Sequence, residues 1–394
     1  MAFLIFSRRT WGHLATPVAV FVFTILLAGC PTNDDRSVAP VLLRFSKLDA
    51  FDPHRRSFEC MHEEDANPPF TADAQTLFEQ GMTATSHDLW PDDRDYTKAA
   101  RLWVRASEQG HWKAQFNLAG LHLKGLGVPR NIERAIELTE DLMRRGVPAA
   151  WDNMGAYHMG GVGPLKQDAN VAYAFWQKAA DMGSIAAQAH LGEKLNAGHD
   201  EPPFFWGNAT VGLRMLECAF AQGSGNAAYQ LAMTQGRDAK QQDDYSRALG
   251  TFQAGARLGS EKSANSLAVA FYFGRPLVDL HVDLARAERY SVLGDALWRN
   301  PDLRFPSLDE VLPLPPAQLP QWNGDRQTLI DAAKALVVQP AARPMPSSGG
   351  TGRARTPLSH ELLTEIRRVD VEAKSHISRT NYWQSRSHQQ KGQA

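Results

Sequence analysis

Ala99-Ala100-Arg101-Leu102-Trp103-Val104-Arg105-Ala106-Ser107-Glu108-Gln109-Gly110-His111-Trp112-Lys113-Ala114-Gln115-Phe116-Asn117-Leu118 carries an apolar helical face on each side of one glycine. Ala99, Leu102, Trp103 and Ala106 recur at i, i+3, i+4 and i+7, the spacing of one side of an α-helix. Gly110 suits a left-handed helix end, which disfavours residues with a side chain. A second helical face resumes at Ala114 and Leu118. A lone hairpin of this kind cannot bury its apolar side, whereas stacked copies can.

Working outward, the same phase returns. Gly110, Gly146, Gly183, Gly223 and Gly259 are spaced 36, 37, 40 and 36 residues apart, and Gly294 continues the series after 35. Four residues after each of the first five markers stand Ala114, Ala150, Ala187, Ala227 and Ser263. Eight after come Leu118, Met154, Leu191, Leu231 and Leu267, and eleven before stand Ala99, Ala135, Ala172, Gly212 and Ala248. These columns predict an all-α, right-handed solenoid of helical hairpins over 95–300, with five to six units. The column five before the marker holds Arg105, Asp141, Lys178, Cys218 and Ala254. Its charged members place it in solvent, which predicts an exposed Cys218.

The flanks differ. Residues 71–94 read as an N-terminal cap built on a helix at Ala72–Thr85, and residues 30–70 as a tether without periodicity. Ten of the 23 prolines fall between Pro301 and Pro357, which stops helix stacking past Trp298. Residues 301–339 form a proline-rich segment with one helix expected over Gly324–Val338. Residues 340–394 are a flexible basic linker and tail, with helical spacing again over Leu358–Lys374. At the N-terminus, Arg8-Arg9, an apolar run through Val18–Leu27 and Ala28-Gly29-Cys30 form an export signal over 1–29.

Hydrophobic residues at 43%, charged residues at 22% and a net charge of −1 exclude a bulk electrostatic partner, and no nucleic acid is expected. The glycine loops Gly125-Leu126-Gly127-Val128 and Gly160-Gly161-Val162-Gly163 share a repeat phase and lack the Gly-Lys-Ser/Thr of a phosphate loop, so they are turns. His122-Leu123-Lys124 lacks the acidic residue that a phospholipase His-x-Lys motif needs. His62-Glu63-Glu64-Asp65 reads as a solvated cluster on an extended segment. No catalytic residue, cofactor or metal is expected. Cys60 and Cys218 remain as a disulfide in an oxidising compartment or as two free thiols.

Ala99–Leu118, its continuation Gly125-Leu126-Gly127-Val128-Pro129, and the unit at Ala172–Gly192 resemble the Sel1 repeat, a relative of the tetratricopeptide repeat. Leu27-Ala28-Gly29-Cys30 resembles a bacterial lipobox. That resemblance implies lipid attachment at Cys30, and Pro31 in place of Asp implies the outer membrane, with the body facing the periplasm. Together with Trp90-Pro91-Asp92-Asp93-Arg94-Asp95-Tyr96 and Leu319-Pro320-Gln321-Trp322-Asn323-Gly324-Asp325, the arrangement resembles Sel1 lipoproteins that act as immunity partners of type VI secreted phospholipase effectors. The implied function is binding of such an effector through an open surface without a pocket, with Arg105, Glu108, Lys178 and Asp181 as candidate contacts. A scaffold or regulatory Sel1 protein of the envelope is the alternative.

Overall fold

In a computed structural model, residues 48–196 and 207–335 are described; they are all-helical, with no strand among them. The expected signal segment, Cys30, the 340–394 tail and the helix expected over Leu358–Lys374 lie outside the described residues. Helices α1 (Glu63–Ala66) and α2 (Ala72–Ala84) precede five hairpins: α3 and α4 (Tyr96–Glu108, Trp112–Lys124), α5 and α6 (Ile132–Arg144, Pro148–Gly160), α7 and α8 (Ala169–Asp181, Ile185–Leu195), α9 and α10 (Ala209–Ala221, Gly225–Asp238), α11 and α12 (Gln242–Arg257, Glu261–Phe273). Then come α13 (Leu284–Arg299), α14 (Leu308–Val311) and α15 (Arg326–Lys334).

The boundaries follow from capping chemistry. Asp95, Asn131, Asp168, Asn208 and Asp283 each accept a backbone N–H in the first turn of α3, α5, α7, α9 and α13. His111, Ser184, Ser224 and Ser260 do the same for α4, α8, α10 and α12. Between the two helices of each hairpin, the five marker glycines have φ from +81° to +99°.

Packing is closest between the second helix of one unit and the first helix of the next. The Trp103 indole donates to the Phe78 carbonyl at 3.2 Å, and the Trp176 indole to the Asp152 carbonyl at 3.1 Å. Each ring lies over a glycine one turn further on. A Cβ at Gly81 or Gly155 would come within 2.3 or 2.8 Å of the indole nitrogen. Helix α2 thus packs on α3 as the second helix of each later unit packs on the first helix of the next. Thr139, which occupies the aromatic position in unit two, is fully buried beside the hydroxyl of the fully buried Tyr157, so the ring volume arrives from the other helix.

The sixth marker fails: Gly294 lies inside α13, where a Cβ would come within 2.2 Å of Asn265 Oδ1. Unit six is a first helix alone, because proline-rich chain takes the place of its partner. Arg286 donates to the carbonyls of Pro313 and Ala317, and Arg289 donates to that of Pro320 at 2.7 Å, which ties this segment to α13. Leu308, Leu312, Leu329 and Ala333 join the core there. Helix α15 begins at Arg326, two residues after the expected start at Gly324, and residues 336–338 of the expected helix lie outside the described residues.

Candidate partner-binding surface

Residues 48–66, part of the expected 30–70 tether, lie against units three and four as a strap. The Asp52 N–H donates to Gln177 Oε1 at 2.9 Å, and Asn208 Nδ2 donates to the carbonyls of Pro53 and Arg55, each at 2.9 Å. Gln188 Nε2 donates to the Met61 carbonyl at 2.9 Å, and the Glu63 N–H donates to Gln222 Oε1 at 2.7 Å. Phe58, 4% exposed, enters the core formed by Ala172, Trp176, Ala179 and Met215. Gly183 combines φ +99° with a strap so close that a Cβ would lie 2.6 Å from the His62 carbonyl carbon.

Several expectations change under the strap. Cys218 is 3% exposed and disulfide-bonded to Cys60 across 158 residues. The charged column does face outward, but here the strap covers it. His62-Glu63-Glu64-Asp65 is not an extended solvated cluster: α1 begins at Glu63, which is 6% exposed and accepts the Ile185 N–H. Asp181 is half-buried and paired with Arg55 at 2.7 Å. Burial raises its carboxyl above the usual range, and the Arg55 guanidinium pulls it down. Asp181 is thus engaged within the chain, whereas Lys178 beside it stays exposed.

The C-terminal segment covers unit five in a similar way. Gln253 donates to Asp309 and to the Leu312 carbonyl, each at 3.0 Å, and Arg257 pairs with Asp309 at 2.8 Å. Gly259 sits against Leu303 and Arg304 as Gly183 does against the strap. At Gly110 and Gly146, by contrast, a Cβ would meet nothing within 4 Å. Units one and two therefore present an open edge, where Arg105 and Glu108 are exposed together with Arg144.

The expected absence of a pocket is overturned. Where the sixth unit ends, Asn300 donates to Asp88 at 3.0 Å and Asp302 pairs with His87, so the far end of the stack meets the loop after α2. A cavity of about 580 Å³ lies between them, lined among others by Phe116, Asn117, Asn153, Lys124 and Arg304. Its volume is that of a small-molecule site. Charges of both signs line it, the paired His87 and Asp302 among them.

Sequence comparison matches Sel1 repeat models at residues 91–111, 112–140, 152–184 and 225–260. A domain of unknown function, DUF6396, matches 275–344, a stretch that takes in α13, α14 and α15. No curated protein matches the chain. Among solved structures, Pseudomonas aeruginosa immunity protein Pa5087 is 28% identical with a TM-score of 0.52, and immunity protein PA5088 is 26% identical with a TM-score of 0.53. Each match covers 66% of this chain and 95% of that chain. Pseudomonas aeruginosa 5086 is 28% identical over 66% of this chain and 96% of its own, with a TM-score of 0.52. In sequence and in fold this is a Sel1-repeat solenoid similar to the Pseudomonas immunity proteins Pa5087 and PA5088.

Proposed function

We propose that this protein is a non-catalytic immunity protein of the cell envelope, which binds a secreted phospholipase effector and blocks it. The observation that carries the reading is the similarity to immunity proteins Pa5087 and PA5088 over 95% of their length. The lipobox-like Leu27-Ala28-Gly29-Cys30 supports an outer-membrane lipoprotein facing the periplasm, where an incoming lipase would reach its substrate. Occlusion needs only shape and affinity, so no catalytic residue is required.

The open edge of units one and two is the contact surface we assign, with Arg105 and Glu108 as exposed charges on its rim. Rim charges mostly govern association rate and salt dependence. The test is survival of cells that direct a secreted phospholipase of the same strain to their periplasm. Co-expression of this protein rescues growth, and the pair Arg105→Glu with Glu108→Arg weakens the rescue. Failure of the parent protein to rescue, with no lipase co-purifying, would remove the reading.

A further inference from the structure

Cys60, His62 and Cys218 meet where the strap crosses unit four. One ligand atom from each, two sulfurs and a ring nitrogen, lies within 4.8 Å of the other two. The arrangement follows from the chain: residues two apart in extended backbone project to the same side, so Cys60 and His62 both face α9, on which Cys218 sits. Between them the Met61 carbonyl is gripped by Gln188 at 2.9 Å and Gln222 at 3.4 Å, and the next N–H, that of Glu63, is held by Gln222. The backbone that carries both strap ligands is therefore held by amide contacts as well as by the disulfide. His62 is half-buried, and Cys60 is exposed, which gives solutes access to the sulfurs.

We propose that the reduced protein holds Zn²⁺ at Cys60, His62 and Cys218, in place of the disulfide. Two thiolates and an imidazole are the donor set that selects a soft or borderline cation over magnesium or calcium. Zinc takes sulfur at about 2.3 Å and nitrogen at about 2.0 Å, which puts tetrahedral ligands roughly 3.5–3.8 Å apart. The three atoms need to move by about 1 Å, with the two sulfurs separating and His62 closing in. Water completes the coordination shell.

The chemistry balances with a dithiol as reductant. Its thiolate attacks the exposed Cys60 sulfur and releases Cys218 as thiolate; its second thiol then frees Cys60 and leaves as a disulfide, two electrons having passed. Zn²⁺ displaces the two thiol protons and binds both sulfurs. Disulfide and metal exclude each other, because a disulfide sulfur offers no thiolate. Either one staples the strap to unit four.

The test is titration of the full chain with Co²⁺, before and after reduction by a dithiol that is then removed. The reduced chain shows a thiolate-to-cobalt charge-transfer band saturating at one ion per chain, and Zn²⁺ abolishes it; the oxidised chain shows no band. His62→Ala, a change at a half-exposed side chain, lowers Co²⁺ affinity by about tenfold or more. Tryptic cleavage at Arg55 and Arg56 speeds up on reduction and slows again when Zn²⁺ is added. A reduced chain without the band overturns the proposal, as does His62→Ala binding as tightly as the parent or Zn²⁺ leaving cleavage unchanged.

Discussion

Replacing Cys60 and Cys218 together by Ser removes a cross-link that closes a loop of 158 residues. In the chain-entropy treatment, such a loop restricts the unfolded ensemble by about 5 kcal/mol at room temperature. Engineered and native bridges commonly deliver less, so a loss of roughly 3–5 kcal/mol is the expected range. The loss is not spread evenly. The strap's remaining hold is buried Phe58, the Arg55–Asp181 pair, the Glu63 carboxylate on the Ile185 N–H and the amide contacts of Gln177, Gln188, Asn208 and Gln222, each hydrogen bond contributing about 1 kcal/mol net. Against this stands ordering of the strap backbone, at about 1–2 kcal/mol per residue. Without the bridge the strap should detach before the helices unfold. Urea unfolding followed by far-ultraviolet circular dichroism reads the second event, and the rate of tryptic cleavage at Arg55 and Arg56 reads the first. The reasoning is refuted if the double variant keeps the parent's urea midpoint and cleavage rate, or if protein from the envelope carries two free thiols.

Other consequences are sharper in comparison than alone. Gly110→Ala should cost about 1–2 kcal/mol, for a left-handed backbone with open space beside it, and Gly183→Ala clearly more, because its Cβ meets the strap; paired urea midpoints decide this. Phe58→Ala should cost about 3–5 kcal/mol and free the strap as reduction does, which hydrogen exchange in units three and four will show. His111 is fully buried, accepting the Ala114 N–H and bonding Gln75, and stacks at 4.1 Å on Phe70; burial first, then the charge of Lys113, lowers its pKa from 6.5 to about 3. The unfolded chain takes a proton there that the folded chain refuses. This contribution is therefore intact above pH 6.5 and lost at about 1.4 kcal/mol per pH unit as pH falls from 6.5 toward 3. His111→Asn keeps a capping side chain and should flatten that slope, as measured by urea midpoints between neutral and mildly acidic pH.

The repeats were legible because they are a local matter. Each unit writes its helix period, its glycine and its small residues into about 36 residues of sequence, and five copies align. What escaped notice depends on chain meeting chain at long range. Cys218 reads as solvent-facing from its column, since nothing near it in sequence announces that residues 48–66 will lie over it. The amides that hold the strap, Gln177, Gln188, Asn208 and Gln222, sit at positions where other units also carry polar residues. Their signal is faint: Asn208 is a helix cap like Asn131, and only the structure shows its Nδ2 serving a second segment. The contact of His87 and Asp88 with Asn300 and Asp302, which encloses the cavity, depends on how small rotations between units accumulate over the stack. No single repeat encodes that sum. Gly294 misled because a glycine at the right spacing also packs well inside a helix, here against Asn265.

We propose that this solenoid neutralises a lipase by binding it. The most direct measurement is the phospholipid hydrolysis rate of a secreted phospholipase effector from the same strain, titrated with the purified chain. The account predicts that hydrolysis falls to background at a one-to-one ratio and that the two proteins elute as one complex. Undiminished hydrolysis in the presence of excess protein, with the two eluting apart, would contradict it.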